Sequence, residues 1–433
     1  MNAIETTDAV TEVKEWLSAN WDPDLTVGEW WERFGTSGWA ACMLPETAYG
    51  KGLARSEVVR VQEAVAEFGA LPAPGGLGLL LAAPTIATHG TPEQQERYIR
   101  AIVTGQEAWC QLFSEPGAGS DLAGLATRAE KDGDEWVITG QKVWTSGGQI
   151  ADLGMLLART NVDVPKHQGI TYFAFEMDQP GVEIRPLREM TGRALFNEVF
   201  INEARVSDAA VIGGVNNGWA VANTTLAFER AGLGAGGGSA ASSTAVPGSI
   251  AGDLGKRVGD MVSARSRGGS GGPGGLSGSF KMLSALARQT GANADPGVRQ
   301  DLARLHTLTE IARYTGLRQK ALRASGSDIG GIGNIAKLSM SIMLRLSRDL
   351  GLRLLGPRGM LHGYDTASTD ALAGLTGGAM AGAITEMALF AQAPQIYGGT
   401  DEIQHNIIGE RVLGLPKEPS NDKVTPFREL PRN

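Results

Sequence analysis

Gln111-Leu112-Phe113-Ser114-Glu115-Pro116-Gly117-Ala118-Gly119-Ser120-Asp121 lies where the chain changes texture, with helical periodicity before it and short β-like runs after it. Glycines and a serine at these spacings let backbone N–H groups approach a phosphate or a flat ring closely. A tight turn without a ligand accounts for the segment alone equally well. It is not a dinucleotide fingerprint, because no strand-to-helix G-x-G-x-x-G unit surrounds it.

Upstream, Val10, Val13, Trp16 and Leu17 recur at helical spacing, as do Val58, Val61, Ala64, Val65 and Phe68. Thr91-Pro92-Glu93 sets a capping threonine before a proline at the first helical position, which predicts a helix running through Tyr98 and Ile102. Downstream, Asp132-Gly133 separates two β-prone runs, the usual two-residue hairpin signal. Met155–Arg159, Ile170–Met177 and Glu198–Ile201 read as further strands. Helical texture returns at Asn217-Gly218-Trp219 and continues to Arg230. It resumes at Met282–Arg288, Asp295–Ser325, Asn334–Leu355, Ala371–Ala393 and Asp401–Leu413. We therefore expect an N-terminal α-helical domain over 1–108, a central β domain over 109–212 and a C-terminal helical bundle over 213–433.

Much of the glycine, 60 residues in all, sits in an insertion at 234–280, between Gly236-Gly237-Gly238 and Gly268–Gly275. Glycine raises the entropy lost on ordering, so these flanks are expected to be mobile. Between them Ile250, Leu254, Val258, Met261 and Val262 predict a short amphipathic helix.

The formal charge of −8 argues against nucleic-acid binding, since no basic excess exists to displace counterions. Two cysteines, Cys42 and Cys110, give no disulfide framework, and five scattered histidines give no metal spacing. The N-terminus is acidic, and the apolar run Leu77–Ala83 is too short to span a bilayer. A soluble cytoplasmic protein is expected, with no membrane partner.

Two more segments carry chemistry. Gly140-Gln141-Lys142-Val143-Trp144-Thr145-Ser146-Gly147-Gly148 sets an aromatic beside two hydroxyls, suited to a flat ligand. Taken alone, a core tryptophan with turn-forming neighbours is the commoner meaning. Gln395-Ile396-Tyr397-Gly398-Gly399-Thr400-Asp401-Glu402-Ile403-Gln404 precedes Glu410-Arg411-Val412-Leu413-Gly414-Leu415-Pro416, and Thr400 is a good cap for an anion-friendly helix start.

The three segments, in this order and spacing, resemble the acyl-CoA dehydrogenase family over about residues 10–418. The resemblance implies an acyl-CoA dehydrogenase-like fold, FAD as cofactor, and removal of two hydrogens from Cα and Cβ of an acyl-CoA thioester. An electron-transfer flavoprotein would accept the electrons. It implies that Phe113 and Ser114 contact the flavin, that Trp144 packs beside it, and that Thr145 and Ser146 hydrogen-bond near its N5. Ser120 would lie near the pyrophosphate and the pantetheine arm, with Tyr397 also facing substrate. Arg288 and Thr290 match an R-x-T element that grips the FAD of a neighbouring subunit. Thr400 and Glu402 would hold its diphosphate–adenosine end. Gly356 belongs to a turn that reads Leu355-Gly356-Pro357-Arg358-Gly359, where the family has an aromatic before two glycines.

In much of the family a glutamate follows the tyrosine of the last motif and acts as the base. Here that position is Gly398, which has only its backbone N–H to offer. A minority of members carry the base on the helix after the β domain, directly before an arginine, and this chain has Glu229-Arg230 there. Glu229 is therefore expected as the base, with Arg230 near the coenzyme A, and a branched, long or steroid-like acyl group as substrate. The insertion is expected to border that group. A non-catalytic or half-site subunit of a heteromeric dehydrogenase and a flavin oxidase or monooxygenase on the same fold remain alternatives. So do a homotetramer or homodimer and an α2β2 assembly.

Overall fold

The computed structural model describes residues 8–234, 245–267, 276–324 and 330–431. The N-terminal part consists of helices α1 (Ala9–Asn20), α2 (Val27–Thr36), α3 (Arg55–Phe68) and α4 (Ala83–His89). A helical stretch follows, with α5 (Pro92–Gln94) and α6 (Arg100–Val103) flanking a wider turn. It starts where the sequence predicts, with Thr91 and Gln94 capping one another reciprocally. α2 starts on a similar box, Thr26 with Glu29. Trp30 and Trp31 are fully buried, and their indole N–H groups donate to the Leu71 and Pro72 carbonyls at 2.8 and 2.9 Å.

The central part is one sheet. Its strands are β1 (Trp109–Leu112), β2 (Arg128–Asp132), β3 (Glu135–Ser146), β4 (Leu153–Arg159), β5 (Ile170–Glu176), β6 (Val182–Leu187), β7 (Phe196–Ser207) and β8 (Val211–Ile212). The order is β6-β7-β3-β2-β4-β5-β8, with β1 parallel to β4. The hairpin at Asp132-Gly133 forms as expected, with Gly133 at φ 64°. Gly140–Ser146 departs from expectation: it is strand, the second half of β3. Irregularities in the pairing with β7 bend it between Lys142 and Thr145. β4 and β5 are almost wholly buried and form the centre of the largest core.

Helices α7 (Gly218–Gly234), α8 (Val258–Arg267), α9 (Leu276–Gln289), α10 (Pro296–Ala324), α11 (Ile332–Leu355), α12 (Thr366–Thr376), α13 (Met380–Phe390) and α14 (Asp401–Ile407) complete the chain. Leu283, Leu286, Val298, Leu305, Met343, Leu350, Ile384 and Met387 form the core of the bundle. The single helix expected over 371–393 is two, because Gly377 and Gly378 take φ of 77° and 145° and end α12.

The described part of the insertion is anchored at several points. The Val27, Gly28, Val258 and Gly259 amides donate to the Lys256, Leu254, Leu25 and Pro23 carbonyls at 2.8–3.0 Å. Val258 is fully buried, and Leu254, Met261 and Val262 pack beside it on the N-terminal core. The helix begins at Val258, so Ile250 and Leu254 precede it and only the last three of the five periodic residues share it. The glycine-rich flanks expected to be mobile lie outside the described residues. No helix among the described residues is long and apolar enough to cross a membrane.

Candidate active site

The loop after β1 is pinned from beneath. Its Glu115 and Ala118 exchange backbone hydrogen bonds at 3.0 and 3.1 Å, closing the turn. The Glu115 carboxylate is buried, and accepts from the Ala126 and Thr127 amides at 2.7 and 3.0 Å and from Lys142 Nζ at 2.8 Å. Lys142, fully buried, also donates to the Phe113 carbonyl at 3.1 Å. Burial alone would push the Glu115 carboxyl up, but the adjacent ammonium and the donors hold it below the usual carboxylate range. Burial pushes the Lys142 ammonium below its ordinary value, against the pull of Glu115. Sequence reasoning missed this pair, although a charged residue in each of two otherwise apolar or glycine-rich motifs was the available signal. Phe113 is buried, Ser114 is half-buried and Ser120 is exposed, so the hydroxyls remain toward the outside of the pinned turn.

Because Val143 donates to the Ser114 carbonyl at 2.9 Å, the first two motifs lie side by side. Trp144 is not a core residue: it is 61% exposed, has φ of 61°, and meets Phe196 edge-on at 5.9 Å. A bulky residue held at positive φ is strained, and strain of this kind gathers at functional sites. Beside it Thr145 is fully buried, and its Oγ1 has no hydrogen-bond partner among the described residues. An exposed planar ring next to an orphaned hydroxyl and a half-buried serine fits a planar, hydrogen-bonding cofactor such as a flavin. Ser146 is exposed on the same strand.

Glu229 lies on α7 and is half-buried; the Gln111 amide donates to its Oε2 at 3.5 Å. α7 is fixed against α4 by the Thr85–Thr225 contact at 3.0 Å and the His89–Thr224 contact at 2.8 Å. The side chain of Arg230 lies outside the described residues. Gly398 and Gly399 both have positive φ, 64° and 79°, and Gln404 Nε2 donates to their carbonyls at 3.2 and 3.1 Å. Thr400 caps α14 by accepting from the Ile403 amide at 3.1 Å. Buried Asp401 pairs with Lys337 at 2.7 Å and accepts from Ser341 at 2.8 Å. Burial, with the Glu189 charge, pushes the Tyr397 phenol up to about 12. Glu402 is exposed, as are Arg288 at the end of α9, Thr290 just beyond it and Gly356 beyond α11. The Thr290 hydroxyl donates back to the Leu286 carbonyl at 2.9 Å.

Residues 6–106, 110–204 and 273–413 match the N-terminal, middle and C-terminal domains of acyl-CoA dehydrogenase, respectively. The chain belongs to the acyl-CoA dehydrogenase family. It is 36% identical over 389 residues to "Acyl-CoA dehydrogenase IpdE1" of Mycobacterium tuberculosis, covering 90% of this chain and 88% of that protein. "Acyl-CoA dehydrogenase IpdE1" of Mycolicibacterium smegmatis is 33% identical, over 96% of this chain and 99% of its own length. Among solved structures, "Tcur3481-Tcur3483 steroid ACAD" superposes with a TM-score of 0.68 at 25% identity, covering 96% of this chain and 99% of that one. The ChsE4-ChsE5 complex from Mycobacterium tuberculosis shares the fold, with a TM-score of 0.66 at 24% identity over 96% of this chain and 100% of that one. The three parts of the fold are thus the three domains of an acyl-CoA dehydrogenase, a flavin-dependent enzyme acting on acyl-CoA thioesters.

Proposed function

We propose that this acyl-CoA dehydrogenase takes a bulky, ring-bearing acyl group of the steroid-derived kind, with Glu229 as its base. One observation carries the reading: Glu229 is half-buried beside Gln111 on a fixed helix, while position 398 has no side chain. Glycine at 398 leaves room for an acyl group and for a carboxylate arriving from α7. Its backbone N–H remains available to donate to the thioester carbonyl oxygen as charge develops there. The Glu229 carboxylate takes the proton from Cα, a general-base step.

FAD, when bound, supplies the acceptor for the hydride from Cβ. Phe113, Ser114, Ser120, Trp144, Thr145 and Ser146 would hold its ring and adjoining chain, with Thr145 Oγ1 a buried hydroxyl that lacks a partner among the described residues. Thr400 and Glu402 would hold the diphosphate–adenosine end. Arg288 and Thr290, exposed in one chain, would serve the cofactor of a neighbouring subunit, and exposed Gly356 would lie at the adenosine. Tyr397 and Arg230 would line the substrate's path.

The solved structure named as a steroid ACAD supports the substrate class, and the two-component names of the solved structures support an assembly with a related chain. An electron-transfer flavoprotein would reoxidise the enzyme. To test the reading, the FAD-loaded protein is incubated with fused-ring and straight-chain acyl-CoAs and an artificial electron acceptor. A product two hydrogens lighter, formed fastest from the fused-ring thioester, is expected. Oxygen consumption without that product would favour an oxidase, and no product until a related chain is added would favour the half-site subunit.

A further inference from the structure

A cavity of about 290 Å³ opens between residues 75–79, 107–109 and 146–151 and the insertion residues Ala245–Pro247. This is near the lower end of small-molecule sites, which run from roughly 300 to 1,000 Å³. Its relation to Glu229 follows from the alternation of β1. Cys110 contacts Met177 at 3.7 Å and Leu112 packs against Gly154, so these two share one face. Trp109 and Gln111 share the other. Gln111 reaches Glu229, and Trp109, roughly 7 Å along the strand, lines the cavity.

Trp109 is 5% exposed, and its indole N–H has no acceptor among the described residues. Buried indole N–H groups ordinarily find one. In this chain the indoles of Trp30, Trp31 and Trp136 donate to Leu71 O, Pro72 O and Asp208 Oδ1. Glu107 also lines the cavity; one of its oxygens pairs with Arg97 at 2.6 Å and the other is buried without a partner among the described residues. Two residues of the cavity wall thus carry buried polar atoms without partners among the described residues, a donor on Trp109 and a carboxylate oxygen on Glu107, and the carboxylate disfavours an anion. Its remaining wall belongs to the insertion, held in place where Gly248 donates to the Gly105 carbonyl and Ser249 to Asp152.

We infer that this cavity receives the far end of the acyl group, and that the Trp109 indole N–H donates there to a neutral oxygen, a ketone or hydroxyl, on the substrate's ring system. The inference rests on the substrate class proposed above and adds the chemistry of its distal end. An acyl group lacking the oxygen would leave the indole unpaired, and sites built around a buried hydrogen bond reject such analogues strongly.

The test uses two CoA thioesters of one fused two-ring acid, bearing either a ketone or a methylene on the ring farthest from the thioester. Their dissociation constants are measured by calorimetry on the FAD-loaded wild type and on Trp109→Phe, whose flavin content is checked. The ketone should bind the wild type about tenfold more tightly or better, and Trp109→Phe should erase the preference. Indole ¹⁵N–¹H spectra of the wild type give a readout that needs no variant: of nine tryptophans, one should shift downfield with the ketone and not with the methylene. Equal affinities in the wild type, a preference surviving in Trp109→Phe, or an indole spectrum blind to the ketone overturns the inference. Flavin bleaching is followed separately. Thioesters that bind with the expected preference yet never bleach the flavin would refute the dehydrogenation reading alone.

Discussion

Gln111 and Glu229, 118 residues apart in sequence, meet at 3.5 Å where β1 faces α7. The contact ties the proposed base to the rigid sheet that also carries the loop proposed to face the cofactor. Gln111→Leu should keep FAD but lower kcat about tenfold through a misplaced carboxylate, with KM changed far less. Steady-state kinetics on one good substrate checks this; a rise in KM alone would mean that Gln111 binds substrate instead.

The buried Glu115–Lys142 pair should behave as a unit. Glu115→Gln or Lys142→Met leaves an uncompensated buried charge, and each should cost roughly 3–5 kcal/mol. The double variant should cost clearly less than the sum. Denaturant unfolding of the three variants checks this, and FAD retention should fall in step with stability because the pair holds the Phe113 carbonyl and the Glu115 turn.

Acid should loosen the same parts of the molecule. Burial would raise the Asp401 carboxyl, but Lys337, Ser341 and Arg345 hold it below its ordinary value, and Glu115 is lowered likewise. A carboxyl lowered by folding stabilises fully above its unfolded pKa, about 4, and loses that stabilisation as pH falls toward the folded value. The melting temperature should therefore be level with respect to these groups above about pH 5 and decline below about pH 4. Asp401→Asn should be less stable at pH 7 and show a shallower acid decline.

Asp152 accepts from the Ala108 amide at 2.7 Å and from the Ser249 amide and hydroxyl. It thus clamps the insertion to the start of β1. Asp152→Ala should raise KM for fused-ring thioesters several-fold, with a smaller effect on short straight-chain ones. A chain-length and ring-size panel checks the difference.

Some short-range features are legible in the sequence. Thr91-Pro92 starts its helix and Asp132-Gly133 turns its hairpin, since each depends on a few adjacent residues. The break at Gly377-Gly378 was also legible as a glycine pair, but the apolar content on either side masked it. What stayed hidden depends on distant partners. β1 is only four residues long and exists by pairing with β4, more than forty residues away. Lys142 looked like an ordinary polar residue of a turn until Glu115, 27 residues before it, was brought into contact. Taken alone, the segment of Trp144 reads as a core tryptophan, because the strand irregularity beside it has no local sequence mark. Glu229 and Gly398 stand out in the sequence only through family resemblance; the contact between Glu229 and Gln111 comes only from the fold.

The central claim is that Glu229 removes the α-proton. Anaerobic mixing of the FAD-loaded protein with a fused-ring acyl-CoA, in the wild type and in Glu229→Gln, tests it most directly. Bleaching of the flavin in the wild type, slowed by roughly 10²–10⁴-fold in a variant that still binds FAD and thioester, is the predicted result. Bleaching by Glu229→Gln at the wild-type rate would contradict it and place the base elsewhere.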